Sequence, residues 1–374
     1  MRQKKKASST ARCGRSSSTF HRAGVIAETS GLSFLMRRRA NTLVTQLDKE
    51  ESTVSQKWGI SLVFLAVISP CSSMWAQVGT VWTEAISSAS WSVRDGHTSV
   101  VFDGKMWVIG GEGGYPGHTD DVWYSLDGVH WTSATLSAAW APRRDGCTAV
   151  VFANKMWLMG GAGEHPAQND VWYSSDGAHW TSATLSAAWT PRRGHTSVVF
   201  AGKMWVMGGV DDDPWFKNDV WYSSDGVHWT SATLSAPWSG QSDHRSVVFD
   251  GKMWLIGGGR DVWHSSDGLN WTSTTVSAPW SVRNRHTSVV YDGKIWVIGG
   301  FNASGWLNDV WFSSDGVNWG QATAHAPWSG RLAHTSVVYD NKIWVLGGLG
   351  GSGYFNDVWY SEGTNSRARS WWRY

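Results

Sequence analysis

Residues 189–209 read WTPRRGHTSVVFAGKMWVMGG, and residues 218–237 read NDVWYSSDGVHWTSATLSAP. Between them lies the short insert VDDDPWFK. Four strand candidates occupy this stretch: HTSVVF (a), KMWVMGG (b), DVWYS (c) and HWTSATL (d). Each is rich in β-branched or aromatic residues and is bounded by turn formers. The Ala-Gly-Lys between a and b and the Ser-Asp-Gly between c and d are tight-turn sequences. Their glycines supply the positive φ that a two-residue hairpin needs. The unit is therefore a four-stranded antiparallel meander.

The same unit recurs along the chain. Copies open at Trp91, Trp140, Trp189, Trp238, Trp280 and Trp328, at spacings of 49, 49, 49, 42 and 48 residues. A single meander cannot bury both its faces, but copies packed face to face around an axis can. The expected fold is an all-β, six-bladed propeller over residues 77–374. A Gly-Gly pair closes strand b in every copy, from Gly110–Gly111 to Gly347–Gly348. With an aromatic in strand b and a Trp downstream, this pattern resembles the kelch repeat, over about residues 80–361. Strand b's aromatic is always Trp here, where kelch proteins often carry Tyr. Of the 30 tryptophans, 24 fall at four repeat positions, which predicts that they fill the space between blades.

The sixth copy loses the pattern after strand c and lacks strand d. Residues 82–91, WTEAISSASW, match 131–140, WTSATLSAAW. The N-terminal segment is thus expected to supply the sixth blade's outer strand and to close the ring.

Outside the repeats, residues 1–57 carry 12 Lys/Arg against 4 Asp/Glu, and they lack apolar periodicity. Residues 1–53 read as a disordered or over-extended segment. Residues 54–76 resemble a signal peptide: Lys57, a short apolar run GISLVFLAVI, then small residues to Ala76. That run is too short for a stable membrane span. A secreted or periplasmic product of a bacterium follows as an expectation. The repeats carry a net negative charge, which speaks against a nucleic-acid partner. Cys147 is the only cysteine in the repeats, so no internal disulfide is expected. The C-terminal RARSWWRY reads either as a basic-aromatic tail or as a frameshifted end. A monomer is expected.

Function is sought where the copies differ. Strands b and c are joined by EGGYPGHT, AGEHPAQ, VDDDPWFK, an almost absent loop at Gly259–Arg260, FNASGWL and LGGSGYF. Tyr115, Trp215, Phe216, Trp306, Tyr354 and Phe355 stand in these loops as candidate contacts for a protein or glycan ligand. On the same face, Arg94, Arg143, Arg192, Arg283 and Arg331 follow the opening Trp by three; Gln241 stands in the fourth copy. His97, His195, His244, His286 and His334 come next, with Cys147 in the second copy. One reading makes these a basic channel rim for an acidic peptide or sugar. The other pairs each Arg with the Asp that opens strand c (Asp121, Asp170, Asp219, Asp261, Asp309, Asp357).

No catalytic set stands out, and no metal or other cofactor is expected. Asp211–Asp213 is a candidate cation site or a solvated turn. Copper oxidases of the galactose oxidase kind share this kind of propeller but require a Tyr–Cys cross-link. Sialidase Asp-boxes resemble YSSDGVHW but carry a residue between Asp and Gly. The bacterial sialic-acid mutarotase is a secreted six-bladed kelch protein, and resemblance to it implies a sugar-processing alternative. A structural envelope protein is the third reading.

Overall fold

A computed structural model describes residues 78–363, apart from 114–116, 143–145, 164–165, 214, 258 and 276. The signal-like segment, the basic N-terminal extension, Tyr115, Arg143 and the RARSWWRY tail lie outside the described residues.

All regular structure within them is β. Six sheets follow one another, each ordered a-b-c-d from the inside out, and blade 6 adds a short strand, Arg331–Leu332, paired to the end of its b strand. In blade 1 the strands are Thr98–Phe102, Lys105–Gly113, Gly117–Ser125 and Trp131–Thr135. The a–b connection is a two-residue turn with both φ values positive, Asp103 at 50° and Gly104 at 65°. This conformation matches the right-handed twist of the flanking strands. Each a strand also contacts the a strand of the blade on either side, and blade 6 meets blade 1 through Thr335–Tyr339 and Thr98–Phe102. They enclose a central channel.

The ring closes as the sequence implies. Thr83–Ile86 pairs antiparallel with Gly353–Glu362, the third strand of blade 6. Within blade 1, the c–d turn is capped by Gly128 N–H donating to Ser125 Oγ at 2.8 Å. At the seam, Gly79 N–H donates to Ser361 Oγ at 2.7 Å, although 282 residues separate them. The edge-to-face pair of opening and outer tryptophans recurs too, as Trp91–Trp131 at 5.9 Å and Trp328–Trp82 at 5.8 Å.

Between blades, the strand b Trp of one lies on the c–d turn glycine of the next. A Cβ on Gly177 would lie 2.0 Å from Trp107, one on Gly226 2.0 Å from Trp157, and one on Gly79 2.5 Å from Trp296. These indoles are buried, and each sits in a cluster with β-branched residues of the adjoining blade. Flat rings stacked on bare turns let twisted sheets approach closely without voids.

Candidate functional site

The repeated arginines are built into the scaffold. Arg94 donates from Nη1 to Asp121 Oδ1 at 2.7 Å and from Nη2 to Oδ2 at 2.8 Å, and Nη1 also reaches the Gly110 carbonyl. The same two-pronged clamp joins Arg192 to Asp219, Arg283 to Asp309 and Arg331 to Asp357. All four arginines are fully buried. Each clamp ties the d–a loop to the start of strand c, so these guanidiniums do not face the channel as open cations. Asp121's carboxyl is held below its usual range: burial raises it, but the hydrogen bond and charge of Arg94 prevail. In blade 4, Gln241 replaces the arginine. There Asp261 accepts the Trp263 indole N–H at 3.0 Å, as its counterparts do, but has no guanidinium from the d–a loop.

The histidines are wedges between blades. A Cβ on Gly208 would lie 2.7 Å from the His244 ring, one on Gly160 2.9 Å from His195, and one on Gly299 2.9 Å from His334. In these pairs the first glycine is bare because the next blade's imidazole packs on it, whereas Gly110 faces the Trp140 ring and Gly257 meets Asp261 and Gln241. Burial, aided by Arg94, lowers His97 to about 3; burial and Arg245 lower His244 to about 3. Burial pushes His286 and His334 well below the ordinary range, with help from Arg245 in both cases. His97 and His195 share hydrogen bonds with Thr335 and Thr148 of the preceding blade, at 2.9 and 3.0 Å. Both ring nitrogens of His286 lack a hydrogen-bond partner, whereas His244 and His334 each keep a backbone interaction, with Met207 and Ile298 of the preceding blade. For His286 the cause is visible in the sequence, since the preceding blade carries Arg245 where the other copies have Thr.

One residue per blade forms a collar inside these wedges: Gly96, Gly146, Gly194, Asp243, Arg285 and Ala333. All six have φ between 51° and 65°. Backbone bonds run from blade to blade, including Asp243 N–H to Gly194 O at 2.8 Å, Ala333 N–H to Arg285 O at 2.9 Å and Gly96 N–H to Ala333 O at 3.0 Å. Collar residues and the first residues of the a strands line a cavity of about 180 Å³. Its charged side chains are Asp243, Arg245 and Arg285; Arg285 Nε lies 3.5 Å from Asp243 Oδ2. None of the three belongs to the candidate set drawn from the sequence. The signal was available in the columns flanking the histidine: GHT, GCT, GHT, DHR, RHT and AHT.

The candidate contact aromatics divide into two groups. Trp215 is 73% exposed, Phe216 59% and Trp306 44%. Tyr354 and Phe355 are half-buried, and the Phe355 ring lies 4.5 Å from the Arg331 guanidinium. Phe355 thus packs against a clamp. Trp215 and Phe216 belong to blade 3, and Trp306 to blade 5. Blade 4 stands between them with b and c strands of only Lys252–Ile256 and Val262–Ser265. Its short b–c hairpin leaves a notch in this face.

The profile of the KLHDC2/KLHL20/DRC7 Kelch-repeats domain matches residues 96–270. The Kelch motif matches residues 283–311 and 330–360. These are kelch repeats. A solved structure titled "Structure of YjhT" matches at 17% identity, covering 73% of this chain and 96% of that one, with a TM-score of 0.61. This likeness concerns the fold alone. No curated protein matches the chain.

Within the kelch scaffold the acidic run of blade 3 is engaged locally. Asp211 pairs with Lys217, and Asp212 accepts the Ala167 N–H of blade 2 at 3.2 Å. Among the described residues no group of three or more His, Cys, Asp or Glu is placed to hold a metal ion.

Proposed function

We propose that this kelch propeller is a recognition module for a protein or glycan, which it engages through the b–c hairpin face across the notch of blade 4. The carrying observation is the exposure of Trp215, Phe216 and Trp306 on hairpins flanking the blade whose b–c hairpin is shortest. Exposed indoles lose apolar hydration on contact and have few rotamers to freeze, which suits a binding surface. Their footing is firm. A Cβ on Gly240 would collide with the Phe216 carbonyl at 2.3 Å, and one on Gly330 with the Trp306 carbonyl at 2.4 Å. Each hairpin therefore rests on the d–a loop of the following blade. We also propose export to the periplasm or cell exterior, on the strength of the signal-like residues 54–76.

The test is binding of the protein to a glycan and peptide panel, beside the Trp215→Ala/Trp306→Ala variant. Far-UV circular dichroism checks that both are folded. A ligand held by the wild type and lost in the variant supports this reading. Binding that survives both substitutions, or its complete absence, removes it in favour of a sugar-processing or structural role.

A further inference from the structure

The collar is held in the left-handed region in every blade, as the a–b turns are. A left-handed φ suits glycine, whereas a side chain there crowds its own carbonyl. Blades 1, 2 and 3 use Gly96, Gly146 and Gly194. Blades 4, 5 and 6 place Asp243 at φ 58°, Arg285 at φ 53° and Ala333 at φ 51° in the same conformation. Strained non-glycine residues persist where their side chains are used. A fourth departure, Arg245 in place of the Thr of every other copy, lies two residues from Asp243.

All four departures line the same cavity, together with His334. Arg285 lies against Asp243, and the Arg245 guanidinium donates from Nη1 to the His244 carbonyl at 3.0 Å. The neighbouring imidazoles add no charge near neutrality, because burial holds His97, His244, His286 and His334 in the neutral form. The cavity therefore has a surplus of positive charge in a setting that water screens poorly. His334 is 1% exposed, and its ring has one backbone neighbour, Ile298, which leaves a ring nitrogen without a partner. A buried imidazole in that condition calls for a hydrogen-bonding guest.

We propose that the channel mouth binds a small oxyanion between Arg245 and Arg285, with His334 supplying a further hydrogen bond. Size sets the class. A cavity of about 180 Å³ holds about six waters at roughly 30 Å³ each. That is room for a phosphate, a sulfate or a carboxylate group with some water, and well short of the ~300 Å³ or more of pockets that enclose drug-sized ligands. Asp243 positions Arg285 through their contact and limits how much charge the guest can bring. The site is independent of the aromatic hairpins, so either proposal can fail without the other.

The test is thermal unfolding of the full chain, followed by tryptophan fluorescence during titration with phosphate and, separately, malonate. Chloride at matched ionic strength is the control. The expected result is a midpoint that rises and saturates with either anion but not with chloride. Arg245→Thr and Arg285→Gly restore the residues of sister copies, so both variants should fold. Each is expected to weaken the anion at least tenfold, and together they should abolish saturation. Trp215→Ala/Trp306→Ala should leave the anion affinity unchanged. A response to phosphate alone supports an inorganic guest, and one to malonate supports the carboxylate of an organic ligand. If all three salts act alike, or if the double variant binds as the wild type does, the proposal falls. The wild-type titration decides this even if a variant proves unstable.

Discussion

Replacing Gly177 by alanine tests the packing on which the ring depends. The new Cβ would stand 2.0 Å from Trp107 Cζ3 and 2.5 Å from Cη2, where carbon atoms prefer about 3.5–4 Å. The indole is 2% exposed and cannot swing into solvent, so the two blades must part or the ring must leave its rotamer. Overpacking of this kind costs about 1–3 kcal/mol. The glycine also sits at φ 78°, where an alanine costs roughly 1–2 kcal/mol more. The total loss is about 2–5 kcal/mol. Gly202→Ala separates the terms: it has φ 70° and nothing within 4 Å of its Cβ, so only the backbone cost of about 1–2 kcal/mol applies. Equilibrium urea unfolding followed by far-UV circular dichroism measures both. Gly79→Ala extends the test to the seam, where the Cβ would meet Trp296 at 2.5 Å, and it should behave like Gly177→Ala. Equal losses for Gly177→Ala and Gly202→Ala would refute the account of interblade packing. A neutral Gly79→Ala beside a costly Gly177→Ala would show that the closing segment is not seated in solution.

Two further outcomes follow from the buried polar groups. Arg192→Ala should cost about 3–5 kcal/mol in urea unfolding, because it strands the carboxylate of Asp219 at the buried end of the clamp. Arg192→Met/Asp219→Leu should cost less than that single change, and a larger loss in the double variant would be incompatible with this origin. Stability should also fall on acidification. His97, His244, His286 and His334 have folded-state values depressed far below 6.5, so below that pH the unfolded chain takes up protons that the folded chain refuses. The contribution is complete above about pH 6.5 and drains away at up to about 1.4 kcal/mol per pH unit for each histidine. Urea midpoints at pH 7.5 and 5.5 measure it, and equal midpoints would contradict the neutral, buried state of these rings. His244→Gln should lower the slope by one histidine's share.

The fold was legible because one physical unit is written six times. The 49-residue spacing, the Gly-Gly pairs and the Asp-Gly turns each specify local geometry, and their common register leaves little freedom. Even the seam could be read, since WTEAISSASW repeats the outer strand at the far end of the chain. The Arg–Asp clamps were one of two open readings, because five arginines and six aspartates at fixed repeat positions fit a pair as well as a rim. What a single unit cannot reveal is its contact with the next one. Phe355 has the sequence setting of a loop aromatic, yet Arg331 of its own blade lies over it. The histidines look like a ring facing the channel, yet His97, His195, His244 and His334 fill the space left by a glycine one blade earlier. The cost of the collar was hidden for a different reason: DHR and RHT are visible as letters, but their strain appears only with φ.

In a ring of near-copies, whatever recurs in every blade is explained by the ring itself, and the remainder is the informative part. Here much of the remainder falls in one sector. Blade 4 lacks the clamp arginine, has the shortest b–c connection, carries Asp243 in the collar and replaces the channel threonine with Arg245; blade 5 adds Arg285. The exposed Trp215 and Trp306 stand on the two blades beside it. Unselected drift would scatter such changes among six equivalent blades, and it would not favour positions where glycine is the unstrained choice. The histidine column shows the contrast, for its one substitution, Cys147, lies in blade 2 and leaves the neighbouring Gly146 and Thr148 intact. A shortened hairpin by itself only removes chain; a shortened hairpin above a charged, strained collar leaves the channel mouth open on that side. That coincidence of place is the physical reason for seeking a ligand at blades 3 to 5 before any other part of the molecule.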